Sequence, residues 1–294
     1  ALLALFGEKS MRGKSKYHQT TGRAPYRFQL KGVRAWSTTA FVMLVLGVSF
    51  ILPVTQLLFW GLGVIDQELN SRYFEMLIHT LVLGGGAALL ATLGAFALAM
   101  ARRKGGEWKI ESVGRLITLG YALPGSVLAV GIMILFANFG HAMNAVQGWL
   151  GQPPTTIMMQ SVPALLFAYL VRFLPVSLNA VDAGLSKVRP SMDEAGRSMG
   201  LNAGNILRKI HVPMLKGSIL TAALLVFVDV LKELPATLIL RPFNFNTLAI
   251  RTYELANEER LAEAASPALA IVLVGIIPVI ILSRSISRSR TGHD

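Results

Sequence analysis

Asp229, Lys232 and Glu233 stand within a run of apolar residues from Gly217 to Leu240. At i, i+3 and i+4 they would share one face of a helix. Each such group at mid-membrane costs about 2.5–3.5 kcal/mol on insertion scales, so it needs a partner, a bundle interior or a polar path. Two readings stand. In one, the three line a path for a solute, together with Arg172 from a neighbouring apolar run. In the other they only hold helices together, with Lys232 paired to Asp229 or Glu233 and Arg172 as a further partner. The triad could also lie near the outer interface, where its cost is lower. Pro235 removes the usual donor to the Leu231 carbonyl, and a wet path would satisfy that carbonyl.

Other chemistry is sparse. With no cysteine there are no disulfides, thiolate-bound zinc or iron–sulfur clusters. His18, His79, His141, His211 and His293 show no metal-ligand spacing. There is no His-Glu-x-x-His, and no catalytic residue and no metal site is expected.

The elements that must position these residues are membrane helices. Of 294 residues, 53% are hydrophobic and 15% charged, and the mean hydropathy is +0.55. An ordinary soluble domain carries about 25% charge. Six apolar runs are long enough to span: Ser37 to Trp60, Leu77 to Ala101, Leu116 to Gly140, Ile157 to Val171 and onward, Gly217 to Leu240, and Ser266 to Leu282. The fold class is an all-α membrane protein with six transmembrane helices. Ser266-Pro267 reads as the cap and first position of the last span. Gly84 to Gly86 and the alanines that follow imply close packing of the second.

The net charge of +12 does not imply nucleic acid. Basic residues crowd one side of the spans, at Lys9 to Arg34, Arg102 to Lys109, Lys187 to Lys216 and Arg284 to Arg290. The opposite side has Arg72, Arg241, Arg251 and Arg260. The positive-inside rule therefore puts both termini in the cytoplasm of a lipid membrane. Residues 1–36 read as a basic cytoplasmic linker, 37–284 as the six-span domain and 285–294 as a tail. Ala1 to Gly7, apolar and followed by the basic Met11 to Lys16, looks like the end of an earlier membrane helix, or else a trimmed chain.

The cytoplasmic stretch between the fourth and fifth spans is patterned, unlike a plain connector. Ser191 and Glu194 form a Ser-x-x-Glu capping box, Gly200 stops a first short helix and Asn202 caps a second. Ile206, Leu207 and Ile210 share a face of the second helix, which Pro213 should end. The expectation is a two-helix loop hinged at glycine, with its apolar stripe turned to the cytoplasm. The plainer reading is a surface helix lying on the protein's own spans.

That stretch resembles the cytoplasmic signature of binding-protein-dependent ABC importer permeases, which reads Glu-Ala-Ala, three residues, Gly, nine residues, Ile-x-Leu-Pro. Here it is Glu194-Ala195-Gly196, Gly200, then Ile210-His211-Val212-Pro213, departing at Gly196 and Val212. The resemblance implies a coupling helix docked on cytoplasmic ATPase subunits, with Glu194 serving as cap and as contact to a basic partner residue. Since no Walker A pattern occurs, ATP and Mg belong to that partner, and no cofactor is expected in this chain.

Val228 to Asn244, Phe245 to Ala249, Ala256 to Pro267 and Tyr121 to Gly131 are similar to ferric-iron permeases of that family. Thiamine and polyamine permeases have similar segments. The iron resemblance implies an extracytoplasmic substrate-binding protein, a bacterial inner membrane, and an N-terminal permease half or a second copy. Ferric ion prefers oxygen ligands, so Asp229 and Glu233 could offer passing contacts, whereas Lys232 would repel a bare cation. Tight binding is not expected, because transport requires release. An ion-driven carrier using Arg172, Asp229, Lys232 and Glu233 as a relay, or a membrane scaffold, would have no use for an ATPase dock.

Overall fold

The computed structural model describes residues 30–64, 68–104, 108–154 and 160–291. The proposed linker before residue 30, the start of the fourth apolar run at Ile157 to Met159, and residues 292–294 lie outside them. All regular structure among the described residues is helical. Among the described residues, six helices are long and apolar enough to cross a membrane.

The chain divides into two units, 1–52 and 53–294. The described part of the first is the helix Val33–Leu46 and a π turn, Gly47–Ile51. They open the apolar segment Val33–Leu62, here α1. The second unit continues with α2 (Ser71–Lys104), α3 (Trp108–Ala122), α4 (Gly125–Trp149), α5 (Val162–Leu185) and α6 (Pro190–Ser198). Then come α7 (Ala203–Leu231), α8 (Pro235–Leu240), α9 (Leu248–Asn257) and α10 (Leu261–Thr291).

The core of the second unit lies between α2, α5 and α7. Ala87, Ala91, Ala95 and Ala99 recur every four residues along α2, and each is fully buried. This small-residue stripe brings the backbones close, which is how helices gain dispersion energy where lipid removes the hydrophobic drive. A Cβ on Gly84 would come within 3.0 Å of the Phe227 ring, and one on Gly94 within 3.2 Å of Leu174. Near the end of α5, a Cβ on Gly184 would collide with the Ser218 side chain, so α5 and α7 cross closely there.

Three boundaries depart from the apolar pattern. The run from Leu116 to Gly140 is broken: α3 ends at Ala122, and the span is α4, starting at Gly125. Pro124 has no N–H and disfavours helical backbone at Leu123, so the chain turns there and Pro124 becomes the N-cap of α4. The last helix starts at Leu261, and Pro267 lies inside it, not at its first position. The helix-forming Leu261-Ala-Glu-Ala-Ala265 and the Arg260–Glu263 pair support the earlier start. Ser266 instead offers its carbonyl to the Tyr73 hydroxyl, 3.3 Å away.

The third departure is in α7. Its first turn, Ala203–Ile206, passes through a π turn, Leu207–His211, directly into the fifth span. Pro213 therefore does not end the helix. In the wide turn the Val212 N–H donates to the Leu207 carbonyl five residues earlier, and this looser register absorbs the bond proline cannot make. The same arrangement precedes Pro53, where the Leu52 N–H reaches the Gly47 carbonyl.

Candidate functional site

An elbow is formed by α6, its turn and the start of α7. Pro190 occupies the first position of α6, where its fixed φ suits a helix, and Arg189 is the N-cap. Ser191 therefore lies inside the first turn, and no side chain caps the helix. The capping box read from Ser191 and Glu194 does not form. The C-terminus does follow the pattern. Gly200 has φ +79°, its N–H donates to the Arg197 carbonyl, and the Leu201 N–H reaches back to Gly196. That is a Schellman closure. Asn202 caps α7, its side chain accepting from the Asn205 N–H at 2.9 Å.

The apolar stripe faces inward, opposite to the expectation. Ile206 is buried and Ile210 half-buried, and both pack on the buried Gly196. A Cβ at 196 would lie 3.2 Å from Ile206 Cγ1 and 3.2 Å from Ile210 Cδ1. This accounts for glycine where the family pattern has alanine. Glu194, Ala195 and Met199 (72% exposed) remain on the outer side, and Pro213 is exposed too.

Sequence reasoning missed what ties the elbow down. Arg103, near the end of α2, donates from Nε to Asp193 Oδ2 at 2.8 Å. Its Nη1 donates to the Val188 carbonyl at 2.9 Å, and its Nη2 to the Arg189 carbonyl at 3.2 Å. From α7, His211 Nε2 lies 2.9 Å from Asp193 Oδ1, and the imidazole is 4% exposed. Burial alone would raise the Asp193 carboxyl, but Arg103 and His211 outweigh it and hold the group below the usual carboxylate range. A cavity of about 140 Å³ adjoins this knot, floored by Met100, Ile206 and Leu207. Asp193 is simply an acidic residue in the first turn of α6, which suits the helix dipole, His211 reads as one of five scattered histidines and Arg103 as one of the basic residues crowded on one side of the spans. No spacing rule connects the three.

The membrane tetrad separates into two pairs. The α-helix ends at Leu231, with Lys232 as its C-cap, so Glu233 is not on a helix face with Asp229. Lys232, whose side chain is 65% exposed, pairs with Asp229 at 3.1 Å. Glu233 is 7% exposed and lies 3.3 Å from Arg172 Nε on α5. Arg172 also donates to the Leu123 carbonyl at 2.9 Å, in the turn that splits α3 from α4. Glu233 Oε1 accepts from the Ala236 N–H at 3.3 Å, at the start of α8. That oxygen also packs against the first residue of α4, since a Cβ on Gly125 would come within 2.7 Å of it. A carboxylate at these two helix starts is favoured by their dipoles. A second tie follows: Thr237 donates to the Glu233 carbonyl and meets the buried Tyr169 hydroxyl at 2.5 Å.

At the other end of α2 from Arg103, a polar cavity of about 260 Å³ is lined by Arg72, Glu75, Met76, His79, Asn244 and Asn246. The His79 ring stacks on Phe245 with centroids 3.9 Å apart.

Comparison with known proteins places this architecture. Residues 91–291 match the family described as binding-protein-dependent transport system inner membrane component. The chain is 26% identical over 96% of its length to the Fe(3+)-transport system permease protein FbpB 2 of Haemophilus influenzae, of which it covers 54%. The chain thus spans about half the length of that relative. It is 24% identical over 90% of its length to a putative 2-aminoethylphosphonate transport system permease protein, PhnV, of Salmonella typhimurium, of which it covers 97%. Among solved structures, a bacterial alginate ABC transporter with a pentasaccharide-bound periplasmic protein shares the fold. Its TM-score is 0.67 at 12% identity, over 87% of this chain and 95% of that one. The MetNI methionine ABC transporter, in an inward-facing conformation, gives 0.53 at 15%, over 76% of this chain and all of that one. With six membrane-length helices and a family match over most of its length, the chain belongs to the binding-protein-dependent ABC importer permeases of the inner membrane.

Proposed function

We propose that this permease carries ferric iron. The observation that supports this best is the likeness to FbpB 2, which extends over 96% of the chain. In this reading an extracytoplasmic binding protein delivers the ion. The chain works beside a second permease half or copy, and cytoplasmic ATPase subunits supply ATP and Mg. Both termini are cytoplasmic. The exposed outer side of α6, with Glu194 and Met199, is the ATPase dock. Closure of the ATPases pushes this elbow, and the spans rock between outward and inward access.

Within the spans, the Arg172–Glu233 pair joins α5, the α3–α4 turn and the start of α8. Because each charge is compensated, the pair can border a polar path without a net field that would trap or exclude an ion. Asp229 and Lys232 form the more accessible pair on the same segment.

A second reading is import of 2-aminoethylphosphonate, favoured by the match to nearly the whole of PhnV. Uptake into proteoliposomes separates the two. The vesicles hold the complete transporter and ATP, with the cognate binding protein outside, and radiolabelled ferric iron, 2-aminoethylphosphonate, thiamine and putrescine are compared. ATP-dependent iron uptake supports the proposal. ATP-dependent uptake of another solute keeps the importer and discards iron. Uptake that follows a proton gradient and ignores ATP would remove the ATPase dock from α6.

A further inference from the structure

We propose that Arg103, Asp193 and His211 are positioning residues that make the elbow a rigid lever, so that motion of α6 is delivered to α2, α5 and α7 together. The inference rests on the reading of α6 as an ATPase dock. A nine-residue helix is marginal by itself, and α6 has no side-chain cap. Its apolar contact is with Ile206 and Ile210, through Gly196. That contact is non-directional and would let α6 roll or slide against α7.

The knot supplies direction. The Arg103 guanidinium has a fixed planar fork, and here it meets three acceptors: the Asp193 carboxylate on α6 and the Val188 and Arg189 carbonyls in the α5–α6 turn. Each bond constrains a different part of the joint relative to α2. The second Asp193 oxygen lies 2.9 Å from Nε2 of His211, the last residue of the π turn of α7. One carboxylate therefore meets two helices, through a charge-assisted hydrogen bond from Arg103 on α2 at 2.8 Å and a 2.9 Å approach to the His211 imidazole of α7. A push on the exposed side of α6 cannot move that helix alone without breaking ionic hydrogen bonds. It moves the cytoplasmic ends of α2, α5 and α7 as one body. The knot is thus distinct from the docking surface. Glu194 and Met199 meet the partner, whereas Asp193 transmits what they receive.

The complete transporter in proteoliposomes tests this with Asp193→Asn and Arg103→Lys, compared with wild type. Both variants should retain the co-purifying ATPase and hydrolysis stimulated by the binding protein. In Asp193→Asn, solute imported per ATP should fall about tenfold, the scale of a lost charge-assisted bond. Arg103→Lys keeps the charge but not the fork, and should fall less. Hydrogen exchange across residues 192–200 should rise in both. Unchanged import per ATP, or unchanged exchange in α6, overturns the lever. Import, hydrolysis and yield falling in proportion also overturns it, leaving a structural staple. Should Asp193→Asn fail to assemble, Arg103→Lys decides by the same readings. A wild type that imports neither ferric iron nor 2-aminoethylphosphonate on ATP overturns the functional reading instead, and the exchange comparison still decides the knot.

Discussion

Asp193 and Glu194 are adjacent carboxylates that the elbow sends in different directions. Asp193 turns to the spans, between Arg103 and His211, while Glu194 is exposed. One helical position, about 100° around the axis, separates an internal tie from a surface free to meet a partner.

Glu194→Lys should therefore leave membrane insertion and monomer yield unchanged and reduce recovery of the ATPase with the permease. Co-purification from detergent, with blotting of membranes for the permease, checks both halves. Wild-type recovery of the ATPase would remove Glu194 from the dock.

Ser191→Ala should be close to silent, within about 0.5 kcal/mol, because Pro190 and not Ser191 begins α6. A working N-cap would cost about 1 kcal/mol on the same change. Thermal unfolding of the purified transporter distinguishes these.

Gly196→Ala brings the chain to the family pattern but should destabilise the elbow by about 1 kcal/mol, since the new methyl crowds Ile206 and Ile210. Adding Ile206→Val should recover part of the loss. Hydrogen exchange over residues 190–210 is the direct measure, and equal protection in both single and double variants would contradict the contact.

Glu233→Gln keeps the shape of the side chain and removes its charge beside Arg172, leaving a half-buried guanidinium without its counter-charge. Transport should fall more than complex yield. Proportional loss of both would show that the pair only fastens α5 to the α8 segment.

The pH response of the knot has a definite sign. The Asp193 carboxyl is lowered from its ordinary value of 3.8. A depressed carboxylate stabilises the fold fully above the unfolded value and stops doing so as pH falls through the lower, folded one. The difference in melting temperature between wild type and Asp193→Asn should therefore not shrink above about pH 5 and should shrink only in stronger acid. A difference that shrinks between neutrality and about pH 5 would mean the carboxyl is not held down.

The six spans were legible because long uncharged runs have one stable outcome in lipid. The Gly200 stop and the Asn202 cap were legible because each acts on its own neighbours. Errors arose where two local signals competed. At the start of α6, Pro190 displaced Ser191 as the first turn. At Leu123-Pro124, an apolar run concealed a break, and at Pro213 a wide turn concealed a continuation. The charges show a different limit. Asp229, Lys232 and Glu233 advertise themselves by standing in an apolar run, but their partners depend on where α7 stops. Arg103, Asp193 and His211 lie in a polar region where no charge is conspicuous, and they meet only because the end of α2, the first turn of α6 and the π turn of α7 come together.

The π turn at Leu207–His211 fixes an angular phase. A wide turn inserts one residue's worth of rotation into an otherwise regular helix, about 100°. The elbow that precedes it and the membrane segment that follows are thus set at an azimuth that an unbroken α-helix would not give. In one frame His211 points at Asp193 while Leu215, Ala222 and Val226 point at the core. Residue numbering in this segment is therefore a mechanical quantity, like the tooth count of a gear. Changing it by one would turn the elbow away from the surface it presents, without altering a single side chain at the contact.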